Sequence, residues 1–194
     1  MKTNSSDTKT QGDQLALVDA PDRGAQSFGS PKSLTFNEVE AATWSLITEF
    51  FNAGIRPGDI VLVQLPNIME HVITGIALKL LGATIKSVAM RCDSNELSKL
   101  AKTHSLKAYI STADFRGESF TCSHQAAFCD GTLILAFGDK EPESAQLIGE
   151  AIADIEALDS CQAYVNSRNF GSTEINACAP FPIDLAHHHY RTTS

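Results

Sequence analysis

The sequence predicts an α/β protein: a doubly wound, mainly parallel sheet with helices on both faces and an N-terminal β-hairpin. Ile60–Val63 is an unbroken aliphatic run, which is typical of a strand buried on both faces of a parallel sheet, here predicted as Ile60–Gln64. Two further runs, Lys107–Ser111 and Thr132–Phe137, also indicate buried strands. Apolar residues recur at three- and four-residue steps on both sides of the first run, as in amphipathic helices. Helices between such strands predict parallel crossover units.

The hairpin is predicted from two short strand-like stretches, Leu15–Asp19 and Ser33–Phe36. The loop between them contains Pro21–Gly24, whose residues favour turns. Thr35 and Glu38 have the spacing of a capping box, in which a hydroxyl and a carboxylate cover amides at a helix start. The hairpin therefore leads directly into a helix.

Two helices flank the strand Ile60–Gln64. The first runs from about Asn37 to Gly54, because glycine readily takes the left-handed conformation that ends a helix. The second is predicted to open at Pro66 or Asn67. Its inner face has helical spacing and consists of Met69, Val72, Ile73, Ile76, Ala77 and Leu80.

The remaining elements are predicted with fewer signals. Thr84–Ala89 is a third candidate strand, and Asp93–Ser94 caps a short helix that runs to about Thr103. Ser144–Ile155 has apolar residues at helical spacing and is predicted as a helix. Asp159–Pro182 lacks periodicity and is predicted as a loop.

Composition restricts the class of partner. The 194 residues suffice for one substantial core or two small lobes, and the formal net charge of −8 argues against nucleic-acid binding. No apolar run approaches membrane-spanning length, so no membrane partner is expected. Residues 1–14 are polar, without the apolar stretch of a secretory signal, and are predicted to be a disordered tail. Five scattered cysteines without a C-x-x-C pair then indicate reduced thiols in the cytoplasm.

The stretch from Leu34 to Ala83 reads LTFNEVEAATWSLITEFFNAGIRPGDIVLVQLPNIMEHVITGIALKLLGA. Its Gly-Ile-Arg-Pro-Gly-Asp turn, the strand, Leu-Pro-Asn and a helix closed by Leu-Gly-Ala follow one another in an order that resembles the start of the acid-activating adenylate-forming enzymes. That superfamily includes the AMP-forming acyl- and aryl-CoA synthetases, the adenylation domains of peptide synthetases and the luciferases.

The resemblance continues through GATIKSVAMRCDSNELSKLAKTHSLKAYIST without an insertion. Ile85, Lys86 and Met90 depart from it, since prolines are common there in the family. The strand Ala108–Ile110 followed by Phe115–Gly117 is most similar to the aryl-acid-activating ligases. In CoA-ligating relatives an arginine in this loop can reach a phosphate of CoA, so the resemblance makes Arg116 a candidate CoA contact. A solvated loop arginine is the alternative.

The chain's last residues, Asp184–Ser194, read DLAHHHYRTTS. In the family, a strand at about this distance leads into a loop of Ser, Thr and Gly that ends in a lysine and wraps the ATP phosphates. By resemblance, Thr192, Thr193 and Ser194 are the opening of that loop and its candidate phosphate-binding residues. An ordinary polar tail is the alternative.

The run His187–His189 suggests a metal site at first sight, because imidazole is a common metal ligand. In a strand, however, only His187 and His189 would share a side, and no Asp or Cys lies at a suitable spacing. We therefore expect no metal here, and we assign no catalytic residue within the chain.

The resemblance implies an N-terminal part, residues 15–194, of an AMP-forming acid:CoA ligase that uses ATP and Mg²⁺, with CoA as co-substrate and a small aryl or short acyl acid as substrate. The family's lysines, its acidic Mg²⁺ ligand and its mobile C-terminal domain would lie beyond Ser194, so inactivity alone is expected. A homodimer, or pairing with the missing C-terminal portion, would cover exposed apolar surface. The alternative is a non-catalytic α/β binding module derived from a truncated ligase gene.

Overall fold

The predicted N-terminal hairpin is present and packs beside the main sheet. The computed structural model describes residues 11–139 and 145–149. Strand β1 (Leu15–Val18) pairs antiparallel with β2 (Ser33–Thr35), and the connection between them contains a short helix, α1 (Arg23–Gln26). The hairpin prediction is confirmed.

The boundary of the predicted disordered tail, residues 1–14, moves towards the N-terminus. Gln11–Asp13 form a 3-10 helix, and the amide of Phe36 donates to the carbonyl of Gln14 at 3.1 Å. Asn37 Nδ2 also donates to the carboxylate of Asp13 at 3.4 Å. These contacts order residues whose polar composition alone indicates disorder, so the prediction was wrong for residues 11–14. Residues 1–10 lie outside the described part of the chain.

The further strands are β3 (Ile60–Gln64), β4 (Thr84–Ser87), β5 (Leu106–Thr112), β6 (Asp114–Phe115), β7 (Glu118–Ser119), β8 (Leu133–Phe137) and β9 (Gln146–Leu147). Among the residues described, the main sheet has five parallel strands in the order β4-β3-β5-β8-β9. The chain leaves β3 for the outer strand β4 and then returns to β5 on the other side of β3, which makes a topological switch point between β3 and β5. A separate antiparallel ribbon, formed by β6 and β7 with two residues each, follows β5.

Helices cover both faces of this sheet, as predicted. Val61 and Val63 of β3 pack in the core with α2 (Phe36–Ala53) and α3 (Met69–Leu81). Leu62, between them, faces the opposite side, where it packs with α4 (Ser94–Thr103). A strand buried on both faces explains the unbroken aliphatic run. Helix α5 (Phe120–His124) precedes a 3-10 turn, and no helix within the described ranges has the length and hydropathy to cross a membrane.

The predicted helix caps of α2 are confirmed. Thr35 Oγ1 accepts from the amide of Glu38 at 3.3 Å, while Glu38 Oε2 accepts from the amide of Thr35 at 2.7 Å. At the other end Gly54 has φ 100°, in the left-handed region. Asp93 and Glu96 form a second capping box at the start of α4.

Helix α3 begins at Met69, two or three residues after the predicted start at Pro66 or Asn67. Ile68 occupies the N-cap position and has no side chain that can accept a hydrogen bond. The carboxylate of Asp19 supplies the acceptor instead, because Oδ1 lies 2.9 Å from the amide of Met69. A residue from the hairpin connection thus caps a helix 50 residues later in the sequence.

The helix predicted for Ser144–Ile155 was wrong at Gln146–Leu147, which form the edge strand β9. These residues pair in parallel with Leu135 and Ala136 of β8. The edge of β8 offers backbone groups that need partners, and Ile148 can still be buried from an extended backbone. Tertiary pairing therefore overrides the helical spacing. Residues 140–144 and 150–194, including the predicted loop Asp159–Pro182, lie outside the described residues.

Replacing Thr35 by alanine should lower the free energy of unfolding by about 1 kcal/mol, because α2 loses its N-cap acceptor. Thr35→Ser keeps the hydroxyl and should lose clearly less. Urea denaturation followed by the fluorescence of Trp44, within α2, measures both. Equal losses for the two variants would contradict the capping role.

Candidate functional site

The candidate site lies at the carboxyl edge of the parallel sheet. Open parallel sheets bind ligands in the crevice outside the carboxyl ends of their strands, at the switch point, which here lies between β3 and β5. Gln64 ends β3 and Thr112 ends β5, and both are fully buried. Buried polar side chains at this edge need hydrogen-bond partners, and those partners define the local structure.

Gln64 ties the loop after β4 to the middle of the sheet. Its Nε2 donates to the carbonyls of Ala89 and Cys92, each at 3.0 Å, and its Oε1 accepts from the phenol of Tyr109 at 2.6 Å. Burial raises the pKa of the Tyr109 phenol well above its usual value, so the phenol keeps its proton and remains a donor. The ring of Tyr109 also stacks on Phe128, with centroids 4.4 Å apart. These contacts therefore hold the loop after β4 against the carboxyl end of β3.

A buried ion cluster fixes the hairpin connection against α3. Arg23 Nη1 lies 2.5 Å from Asp19 Oδ2, and its Nη2 lies 2.6 Å from Glu70 Oε1. Burial by itself lowers the pKa of the Arg23 guanidinium, but the hydrogen bonds and charges of Glu70 and then Asp19 outweigh it and raise that pKa. Arg23 Nε also donates to the carbonyl of Phe28 at 3.1 Å. The guanidinium thus organises the loop that borders the site.

The β6–β7 turn contacts the same loop. The amide of Arg116 donates to the carbonyl of Gln26 at 3.1 Å, and the hydroxyls of Ser27 and Thr112 lie 3.0 Å apart. A cavity of about 360 Å³ separates the two segments. It is lined by Gly24, Ala25, Ser27, Phe28, Asp114, Arg116, Gly117 and Asp139.

Arg116 has an unusual backbone conformation. Its φ is 54°, and that of Gly117 is 82°, so both central residues of the turn are left-handed. A two-residue hairpin turn of this kind suits Asn-Gly or Gly-Gly, and a long side chain at its first position is strained. The guanidinium lies over the ring of Phe115, 5.2 Å from its centroid. Residues with a strained backbone cluster at functional sites, so Arg116 in the cavity wall is a candidate site residue.

Of the four predicted site residues, one lies in the part of the chain that the structure describes. Arg116 lies at the cavity beside the carboxyl edge, where a ligand can reach it. Thr192, Thr193 and Ser194 lie outside the described residues, as do His187–His189, so their roles remain predictions. Of the residues described, no group of three or more His, Cys, Asp or Glu side chains is arranged to hold a metal ion. Cys92, Cys122 and Cys129 are free thiols.

Sequence reasoning missed Arg23, Asp19 and Glu70. One signal was available: Glu70 falls at helical spacing with Ile73 and Ala77, so a charged residue shares the apolar face of α3. A carboxylate on such a face needs a buried partner. The sequence gives no indication that this partner is Arg23, 47 residues earlier, because the pairing depends on the path of the hairpin connection.

Comparisons with known proteins identify the family of the chain and support its fold. The family described as AMP-binding enzyme matches residues 6–179, most of the sequence. An acyl-CoA synthetase of Brucella canis has a similar structure, with a TM-score of 0.59 and 20% sequence identity over 76% of this chain. No curated protein matches the sequence.

The chain belongs to the family of AMP-binding enzymes. The likeness to the Brucella canis structure supports the α/β fold with its mainly parallel sheet. This chain covers 26% of the length of that protein. The region of this chain that matches the family ends at residue 179, before the predicted phosphate-binding residues.

Backbone strain at Arg116 can be measured with two substitutions that both remove the guanidinium. Asparagine tolerates the left-handed conformation, whereas the β-branched side chain of valine does not. Arg116→Val should therefore be less stable than Arg116→Asn by about 1 kcal/mol or more, as measured by urea denaturation. Identical stabilities would show that the turn is not left-handed at this residue.

Proposed function

We propose that this chain is the N-terminal part of an ATP-dependent, AMP-forming carboxylic acid:CoA ligase. The observation that carries the proposal is the family match over residues 6–179. The position of Arg116 at an open cavity beside the carboxyl edge of the sheet supports it. A cytoplasmic location fits the free thiols of the described part and is proposed with it.

The proposed reaction has two steps. A carboxylate oxygen of the acid attacks the α-phosphorus of ATP, the bond to the β-phosphate oxygen breaks, and pyrophosphate leaves. The thiolate of CoA then attacks the carbonyl carbon of the acyl-adenylate, and AMP leaves with the electrons of the broken C–O bond. Stabilisation of the charge that develops on phosphorus requires preorganised donors and cations.

Within this chain, the proposed contributions are binding and support. Thr192, Thr193 and Ser194 would donate hydroxyl and amide hydrogen bonds to the phosphates of ATP. Arg116 would contact a phosphate of CoA through two guanidinium N–H groups. Mg²⁺ is proposed to bind with the phosphates of ATP in the rest of the complete enzyme.

The cavity at Arg116 is not uniformly basic. Asp114 and Asp139 also line it, and carboxylates repel a phosphate. The guanidinium is on an exposed turn and lies over Phe115, so a phosphate would approach it from the solvent side. We therefore propose that Arg116 guides the nucleotide end of CoA at the rim, and that the acid itself binds elsewhere.

The substrate is proposed to be an aryl or short acyl acid. This choice depends on the likeness of the strand Ala108–Ile110 and the following Arg116–Gly117 turn to the aryl-acid-activating ligases. The residues that would contact the acid are not among those assigned in this chain.

A non-catalytic α/β module is the second candidate. Leu15 and Val18 of β1 are 62% and 69% exposed, and Phe36 and Val72 are also partly open to solvent. Exposed apolar residues of this kind can mark a surface for a second copy or another protein. A module would use such a surface and would bind neither ATP nor CoA.

Exchange of labelled pyrophosphate into ATP separates the two candidates. A chain extended through the natural downstream reading frame should catalyse exchange with at least one acid of a panel of aryl, fatty and amino acids. The 194-residue chain should not, because it covers only 26% of the length of the acyl-CoA synthetase whose structure it resembles. If the extended chain catalysed no exchange with any acid of the panel, the module would be favoured. Exchange by the 194-residue chain would show that the active site lies within these residues.

The extended chain also tests Arg116. Arg116→Ala should raise KM for CoA about tenfold, the loss of about 1.4 kcal/mol expected for a charge-assisted contact, and leave pyrophosphate exchange unchanged. Arg116→Lys, which keeps the charge, should lie between the two. An unchanged KM for CoA in the alanine variant would leave Arg116 as a solvated turn residue.

A further inference from the structure

The turn that carries Arg116 needs support from outside its own ribbon. β6 and β7 have two residues each, and an isolated ribbon of this length is not stable by itself. Arg116 also has a φ of 54°, a conformation that a long side chain keeps only where the surroundings impose it. One support is the hairpin connection, because the carbonyl of Gln26 accepts from the amide of Arg116 at 3.1 Å.

A second support is the hydroxyl of Thr112, the last residue of β5. Thr112 is fully buried, and its Oγ1 donates to the carbonyl of Asp114 at 2.9 Å. Asp114 begins β6 and lies two residues before Arg116. The same Oγ1 lies 3.0 Å from the Oγ of Ser27, in the hairpin connection. One hydroxyl therefore joins the end of β5, the start of β6 and the connection.

The direction of each hydrogen bond follows from the number of protons. A hydroxyl has one proton, and a carbonyl oxygen can only accept. The proton of Thr112 goes to Asp114, so Ser27 donates to Thr112. The proton of Thr121 goes to the carbonyl of Thr112 at 2.7 Å, so Ser111, whose Oγ also lies 2.7 Å from Thr121 Oγ1, donates to Thr121. Both polar groups of the Thr112 side chain and carbonyl are thus in directed bonds.

We infer that Thr112 is a positioning residue for Arg116. Its hydroxyl holds the start of β6 against the hairpin connection and so keeps the Arg116 turn at the cavity wall. Because Thr112 is fully buried, it acts through Arg116 and does not touch CoA itself. This inference rests on the proposed function, in which Arg116 contacts a phosphate of CoA.

Trypsin cleavage of the Arg116–Gly117 bond tests the support on the 194-residue chain. A protease needs an extended segment, so the cleavage rate at this turn follows the population of the opened ribbon. Thr112→Val replaces the hydroxyl by a methyl group and should raise this rate about tenfold, because two hydrogen bonds are lost. Mass spectrometry of the early fragments measures the rate. Cleavage after Arg91, in the loop after β4, is the reference and should keep its rate.

Two matched variants separate local support from a general loss of stability. Thr112→Ser keeps the hydroxyl and should be cleaved at nearly the rate of the unmodified chain. Thr74→Val makes the valine exchange at a fully buried threonine whose Oγ1 has no hydrogen-bond partner within the described ranges, and should not change cleavage after Arg116. An unchanged rate in Thr112→Val, or equal rises after Arg91 and Arg116, would overturn the inference.

Ser27→Ala keeps the test decisive if Thr112→Val does not fold. It removes the donor to Thr112 from a half-buried position and should raise cleavage after Arg116 alone, by about threefold for one lost hydrogen bond. No change in this variant would also count against the support.

The extended chain connects the support with CoA. Thr112→Val should raise KM for CoA about threefold and leave pyrophosphate exchange unchanged, whereas Thr112→Ser should restore KM. If the unmodified extended chain catalyses no exchange, the proposed function fails, and the trypsin comparison decides the support separately. If exchange is intact and Arg116→Ala raises KM for CoA but Thr112→Val does not, the positioning role is wrong although the function stands.

Discussion

Arg23 joins the hairpin connection to the helix that follows the first sheet strand, and the structure of the carboxyl edge depends on this contact. Arg23 is 2% exposed, and its guanidinium lies between the carboxylates of Asp19 and Glu70. Removing one member of a buried ion cluster leaves an uncompensated charge, which costs several kcal/mol. The loop cannot move away from α3 without that cost. Asp19 adds a second link, because it also caps α3 at Met69.

This constraint extends to the cavity at Arg116 through the backbone. Helix α1 carries Arg23 at its start, and the residues at its end bond to the β6–β7 turn and to β5: Gln26 to the amide of Arg116, and Ser27 to Thr112. Well-packed apolar residues often match or exceed a buried ion pair in stability. The cluster is therefore better explained by the position it imposes on the site-facing loop than by its net contribution to folding.

The sequence predicts those features that local chemistry determines. The aliphatic run of β3, the Thr35–Glu38 capping box and Gly54 each have a short-range signal, and each was confirmed. Features that depend on distant partners were missed or wrong. Gln146–Leu147 have helical spacing but form a strand on the open edge of β8, and Asp19 caps a helix from the hairpin connection. The same holds for the candidate site: the short pattern around Arg116 is a local signal from which a CoA contact can be predicted, whereas the Arg23 cluster required the three-dimensional path of the chain.

The Arg23 cluster holds the loop in place as a unit. The most direct test is the free energy of unfolding of Arg23→Met and of Glu70→Gln, each alone and both combined, measured by urea denaturation with Trp44 fluorescence. Arg23→Met alone should lose about 3–5 kcal/mol, and the double variant should recover part of that loss, because Glu70 then no longer leaves an unpaired buried charge. A loss below about 1 kcal/mol for Arg23→Met, or losses that simply add, would contradict the account.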